Sequence, residues 1–506
     1  MLRREKRQQT RHSLNATVKA ICDIMRRSNC AGALQYIPEL TWILFLRILD
    51  EQEIQEQKKA TQAGRPFSPT LYAPYRWQDW AAPGSSLRGT RTTMQTAVKD
   101  FVNSRLLPYL HALADHPAAT ARQRILSKVV AATERVQIDT EANFLAVLDK
   151  VHTIHQADID PTHLFTLSQV YESLLLKMGE KGGDGGQFFT PREIVRVMVQ
   201  VIAPQPGETV YDPCCGTGGF LAQAHEYMQE AASQTTTARS QPEEGPPLFF
   251  GREKENLIYP VALANLVLHG IDQPHIWHGN TLTEEAVYDG LFADAPAQFD
   301  VVLTNPPFGG KEGKTAQLRF PYKTAATQVL FLQHTIRALK PGGRCAIVLD
   351  EGVLFRTSDA AFVQTKQFLL DTCAVWCIVS LPVGVFTTVG AAVKTNLAFF
   401  TKGQRTERIW YYDLSEVRVS KTTPLTRDQF ADFFQRLPDR ADSGKSWTVN
   451  RQEIEARNYD LKAVNPHTAH QQNADKATSA DILQRITVQQ EEIKKALLAL
   501  EIMRSP

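Results

Sequence analysis

The chain has 506 residues, 43% hydrophobic and 22% charged, with a formal net charge of +2, so neither a strongly basic nor a strongly acidic partner is demanded by charge alone. Its seven cysteines show neither a zinc-type spacing nor an even disulfide framework. The basic N-terminus "MLRREKRQQTRHS" has no apolar signal core behind it, and no run of about 18 apolar residues occurs, so a soluble cytoplasmic protein without membrane contact is expected.

From about 14 to 57 the pattern is helical, with "LTWILFLRILDEQE" dense in apolar positions. A loop rich in Pro, Gly and aromatics follows, and helical periodicity returns between about 94 and 178. No strand is expected before about 209, so the first third reads as an all-α domain. Clustered glycines in "GEKGGDGGQFFTPREIV" then lead into Thr190, Pro191 and Glu193, which predict an N-cap, a first helical position and a capping box. Beyond this point "TVYD", "LFFG", "HIWHG", "VVLTN", "CAIVLD", "VWCIVSLP", "TNLAFFTK" and "RIWYYDL" read as strands alternating with helices, which predicts an α/β, doubly wound, mostly parallel sheet. A final helix from about 479 carries a heptad seam through Ile482, Ile486, Gln489, Ile493, Ala496, Leu500 and Met503. It serves either as a helix docked on its own domain or as a coiled-coil handle for another subunit. The expected division is 1–165 helical, 166–415 catalytic, 416–475 a C-terminal extension and 476–506 an assembly helix.

Two strand ends carry the chemistry. In "VYDPCCGTGGF" a strand stops at Asp212 and a turn through Gly216, Thr217 and Gly218 opens a helix; in a doubly wound sheet such turns lie where ligands bind. The next strands end near Glu253, whose acceptors suit a pair of ribose hydroxyls, and near Asn280. In "VVLTNPPFGG" the two prolines remove backbone donors and stiffen the exit from the strand, presenting Asn305 beside Phe308. Amide and carbonyl acceptors next to an aromatic face suit the exocyclic amine of a flipped-out adenine. Acceptors aimed at both amine hydrogens favour the electron-rich nitrogen that attacks a sulfonium methyl. Other planar amines or amides, a protein glutamine among them, would fit the same pocket. "GGKEGKT" at 309–315 falls one residue short of a phosphate-binding loop, and Pro213-Cys214 follows the wrong strand for a cytosine-methylating nucleophile.

With these motifs assembled, "GGQFFTPREIVRVMV", "DPCCGTGGF", "LANLVLHGI", "TNPPFGGK" and "QVLFLQHTIRALKPGGRCAIVL", the chain resembles the modification subunit of Type I restriction-modification systems, an N6-adenine DNA methyltransferase. The resemblance covers most of the chain. It implies an S-adenosyl-L-methionine-dependent methyltransferase domain of Rossmann-like fold, with Phe189, Thr190 and Pro191 lining the methionine end of the cofactor and Asp212, Gly216, Thr217 and Gly218 around it. It further implies Glu253 on the ribose, Asn280 on the cofactor adenine, and Asn305, Pro306, Pro307 and Phe308 as the catalytic set, with no metal. The block "GREKEN" and Asn280 in place of the commoner aspartate depart from the family pattern. Implied partners are double-stranded DNA, a specificity subunit, a second copy of the chain and a restriction subunit with motor and nuclease functions. The N-terminal domain would close around DNA. A non-catalytic DNA-clamping or assembly module that kept the fold is the alternative.

Overall fold

The computed structural model describes residues 16–17, 19–28, 33–88, 97–153, 190–235, 248–286, 295–387, 393–420 and 423–467. Phe189 and the heptad seam from Ile482 to Met503 lie outside them.

Among the described residues everything before Val210 is helix, turn or loop. The long helix α1 (Ala33–Gln62) runs beside α2 (Ala121–Val130) and α3 (Glu141–His152), with Trp42, Phe45, Trp77, Trp80 and Phe144 fully buried between the elements. At the start of α2, Thr120 accepts the Gln123 N–H while Gln123 Oε1 accepts the Thr120 N–H, a reciprocal cap that satisfies two otherwise orphaned donors.

Ten strands form one sheet in the order β10-β9-β7-β8-β6-β5-β1-β2-β3-β4. They are β1 (Val210–Asp212), β2 (Phe249–Glu253), β3 (His275–Asn280), β4 (Glu285–Ala286), β5 (Phe299–Thr304), β6 (Leu339–Asp350), β7 (Cys373–Ser380), β8 (Thr395–Lys402), β9 (Arg408–Asp413) and β10 (Ser446–Asn450). All eight expected runs are strands. The short β4 and the edge strand β10 add to the expected set, and the sheet is mixed: five pairings are parallel and four antiparallel. Two antiparallel pairings arise because β8 inserts between β6 and β7 and pairs antiparallel with both, and the other two join β4 to β3 and β10 to β9 at the sheet edges.

Helices cover both faces. On one side lie α4 (Arg192–Ile202), α5 (Gly219–Thr235) and α6 (Tyr259–Leu268), packed with Val301, Leu303, Ala346 and Val348. On the other lie α8 (Thr327–Ala338) and α10 (Ala360–Thr372), packed with Val302, Cys345, Ile347 and Leu349. The alternation of residues along β5 and β6 between the two cores follows the strand period of two. Between β5 and α8 lies the four-residue α7 (Lys314–Gln317), and between β6 and α10 the short α9 (Glu351–Phe355).

Helix α6, "YPVALANLVL", is apolar all round because both of its sides are covered, by the sheet on one and by α1 and α2 on the other. Gln52 of α1 donates to the Leu268 carbonyl at 2.7 Å, and Arg122 of α2 pairs with Asp272 and Glu56, so the N-terminal helices are seated on the sheet region through α6 and the turn after it. No helix among the described residues is long and apolar enough to cross a membrane.

The expected capping box at α4 does not form. The helix begins one residue later, its N-cap is Pro191, no side chain caps it, and Glu193 pairs with Arg196 instead. The Thr190 hydroxyl is used elsewhere, at the site described next.

Candidate active site

Strand β1 has β2 on one side and β5 on the other, so the chain order reverses there and a crevice opens beyond the strand ends. Asp212 ends β1 and Thr304 ends β5. The Thr304 hydroxyl donates to Asp212 Oδ1 at 2.8 Å, and the Cys214 N–H donates to the same oxygen at 3.1 Å, which stitches the two ends together. Burial pushes the Asp212 carboxyl up to about 7 against the pull of these donors.

The glycine turn follows. Gly216 and Gly218 adopt φ of 54° and 81°, a region that costs other residues strain. A side chain on Gly218 would press against Leu266 at 3.1 Å, so the turn fits α6 only with glycine. Asn265 of α6, fully buried, donates to the Thr217 carbonyl at 2.8 Å. Glu253, at the end of β2, accepts the Gly216 N–H at 2.9 Å on one oxygen and the Glu255 N–H at 2.8 Å on the other. Its burial likewise raises its carboxyl to about 7. Asn280 ends β3 and accepts the Leu282 N–H at 2.9 Å.

Beyond β5 the Asn-Pro-Pro-Phe turn is held by neutral groups. Asn305 Nδ2 donates to Thr190 Oγ1 at 3.0 Å, and its Oδ1 is buried with no hydrogen-bond partner among the described residues. The Pro306 carbonyl accepts Gln328 Nε2 at 3.0 Å. Phe308 is half-buried and meets the buried Phe386 edge to face, ring centroids 5.2 Å apart.

One cleft of about 260 Å³ joins the two turns: Gly216, Glu253 and Asn280 line it together with Asn305 and Pro307. Of the other residues singled out in the sequence, Thr190 reaches the cleft through Asn305, Pro306 and Phe308 do not line it, the Pro306 carbonyl being turned to a buried bond with Gln328, and Asp212, Thr217 and Gly218 shape the turn from behind. Pro191 caps α4. A larger hollow of about 390 Å³, lined by Tyr211, Phe299, Arg319, His334 and Arg337, contains none of these residues, so volume alone would misplace the site.

The arrangement can do two things. A buried carboxylate over a glycine turn can take a polyhydroxylated ligand, and an acceptor left without a donor can take an N–H. An unsatisfied buried acceptor costs about 1–3 kcal/mol, so Asn305 Oδ1 is an incomplete interaction that a ligand would complete. Covalent chemistry at Cys214 is disfavoured, since burial, with Asp212 alongside, pushes its thiol well above the ordinary value, and it contacts Thr304 Oγ1 at 3.0 Å. In "GGKEGKT" Glu312 accepts from the Thr327 hydroxyl at 3.1 Å and faces the cleft, and the helix that follows has only four residues.

Asn265, Thr304 and Gln328 join the site without standing out in the sequence. Each is a polar residue inside an otherwise apolar run, "LANLVL", "VVLTN" and "QVLFL", and that pattern is their only sequence signal.

Comparison with known proteins shows the family of the chain. Residues 163–475 match the N-6 DNA Methylase family and residues 14–151 the HsdM N-terminal domain family. The Type I restriction enzyme EcoEI methylase subunit of Escherichia coli is 33% identical over 471 residues, 90% of this chain and 91% of that protein. The EcoKI methylase subunit of Escherichia coli K12 is 28% identical over 483 residues, covering 90% and 83%. Among solved structures, a modification subunit from Vibrio vulnificus superposes with a TM-score of 0.73 at 33% identity, over 90% of this chain and 97% of that one.

Proposed function

The chain belongs to the N-6 DNA methylase family and is a Type I restriction-modification methylase subunit, an adenine-specific DNA methyltransferase; from that premise we propose where it holds its cofactor and its target base. At the glycine turn Glu253 would hold the ribose of S-adenosyl-L-methionine, Asn280 its adenine, and Phe189, Thr190 and Pro191 its methionine end. The target adenine is flipped out against Asn305, Pro306, Pro307 and Phe308. The observation that carries this reading is that Gly216, Glu253 and Asn305 line one cleft, and that the Asn305 Oδ1 has no donor among the described residues.

When bound, the cofactor supplies an electrophilic methyl on a sulfonium. The chain's own part is positioning and electrostatics. The exocyclic amine is a weak nucleophile because its lone pair is delocalised into the ring. Asn305 Oδ1 and the Pro306 carbonyl oxygen accept its two hydrogens and draw the nitrogen toward a tetrahedral, electron-rich form. Thr190, by taking Asn305 Nδ2, leaves the oxygen of that amide for the amine. Flipping costs a few kcal/mol, offset by these hydrogen bonds and by stacking on Phe308, whose ring is steadied by Phe386.

The chain acts in a complex. Its partners are double-stranded DNA, held mainly through backbone charge, a specificity subunit that reads the sequence, a second copy of the chain, and a restriction subunit when cleavage accompanies modification. In this reading the N-terminal region 1–165 closes around DNA, 166–415 is catalytic, 416–475 an extension, and 476–506, outside the described residues, serves to dock the specificity subunit.

Calorimetric titration of the isolated chain with S-adenosyl-L-methionine and, separately, with ATP tests the cofactor site without any partner. Binding of the first and not the second is expected. Binding of ATP alone would overturn the assignment of the glycine turn and make "GGKEGKT" a phosphate loop.

A further inference from the structure

We propose that Gln328 is a positioning residue for methyl transfer, the group that aims the Pro306 carbonyl at the target amine. This rests on the reading of Asn305 and Pro306 as the adenine-holding pair. Gln328 is the second residue of α8 and only 3% exposed. Its Nε2 donates to the Pro306 carbonyl at 3.0 Å, and its Oε1 accepts the Asp350 N–H at 2.9 Å. Both ends of the amide are therefore committed, and reversing it would set oxygen against oxygen and N–H against N–H.

The turn needs such a holder from outside. Pro306 and Pro307 have no N–H, so the segment cannot anchor itself by donating from its own backbone. The proline ring fixes φ of Pro306 and the following Pro307 confines its ψ to the extended region, so an outside donor has only the final direction of the carbonyl to select. The Gln328 amide sets that direction from the end of β6, through Asp350, whose own side chain caps α9 by accepting the Val353 N–H at 2.9 Å. A carbonyl oxygen has two lone pairs; Gln328 occupies one and leaves the other for the amine. Asn305 is oriented by Thr190, so each acceptor is aimed by a side chain from a different element. No part of the family resemblance assigns Gln328 a role.

The test uses the chain in complex with its specificity subunit and a duplex carrying the target sequence. Gln328→Glu, assayed above the pH at which its buried carboxyl loses its proton, keeps the acceptor that the Asp350 N–H uses and replaces the donor facing Pro306 by an oxygen. Gln328→Met fills the same space with neither. Single-turnover methyl transfer, expressed per cofactor-binding site so that a partly unfolded sample still gives a rate, is expected to fall roughly tenfold to a hundredfold in both, in line with the cost of small misplacements near a reacting atom. Cofactor and DNA affinities are expected to stay within about twofold. A Gln328→Glu complex that transfers methyl at the parent rate, or one whose loss is entirely in cofactor or DNA affinity, would overturn the proposal. A parent complex that methylates no adenine would overturn the reading beneath it, a result visible without any variant.

Discussion

The turn after β1 and the turn after β5 are neighbours across the same crevice, yet they are held by different chemistry. The glycine turn is held by charge-capable groups: Glu253 takes two backbone N–H groups and Asp212 takes a hydroxyl and another N–H, both carboxyls raised by burial to about 7. The Asn-Pro-Pro-Phe turn is held by a threonine hydroxyl and a glutamine amide, and one of its acceptors is left unmet. On the function proposed, the first turn would bind a polar cofactor with an affinity that responds to pH, and the second would offer neutral acceptors to a weak nucleophile, where a fixed charge would bind the ground state without helping the transition state.

Substitutions on each side should separate these roles. The largest effect is expected for Asn305→Ala, which removes an acceptor used only at the amine: turnover should fall by about a thousandfold or more while calorimetric affinity for S-adenosyl-L-methionine stays within about twofold. Thr190→Val frees the Asn305 amide to rotate and should cost roughly tenfold to a hundredfold in single-turnover rate, with Thr190→Ser restoring most of it; equal losses in the two would show that the hydroxyl is not what matters. On the other side, Glu253→Gln should weaken cofactor binding about tenfold to a hundredfold, the range for a hydrogen bond to a charged group, with a smaller change in rate at saturation.

The smallest effect is in protons. Glu253 is raised from 4.5 to about 7, so its contribution to folding stability is fully present below about pH 4.5 and is lost as pH rises through about 7, in the cofactor-free chain. Hydroxyl donors placed on Glu253 favour its charged form, so cofactor binding near pH 7, where about half of the free chains carry the proton, should release up to about half a proton. Calorimetry in buffers of different ionisation enthalpy measures that number, and Glu253→Gln should reduce it.

Much of this organisation is legible in the residues alone. The eight strands read correctly because buried strands carry short apolar runs bounded by turn residues, and Asp212, Gly216, Glu253, Asn280 and Asn305 can be placed because each falls where such a run ends. The two-residue β4 has too little pattern to detect, and β10 follows the polar "RADSGK" at the sheet edge. Thr190 departs from its expected role for a physical reason: Thr-Pro-x-Glu is a good local capping signal, but the hydroxyl is taken by Asn305, 115 positions away in the chain. Gln328, Asn265 and Thr304 are hard to read for the same kind of reason, since a buried polar side chain is explained only by its partner, and the partner is fixed by tertiary structure.

Adenine methylation through Asn305 is tested most directly by nucleoside mass spectrometry on DNA after incubation with the chain, its specificity subunit and S-adenosyl-L-methionine, run beside the Asn305→Ala variant. N6-methyladenine is expected with the parent and none with the variant, although both bind cofactor. Methylated cytosine, methyl groups found in protein instead of DNA, or equal N6-methyladenine from the two would contradict it.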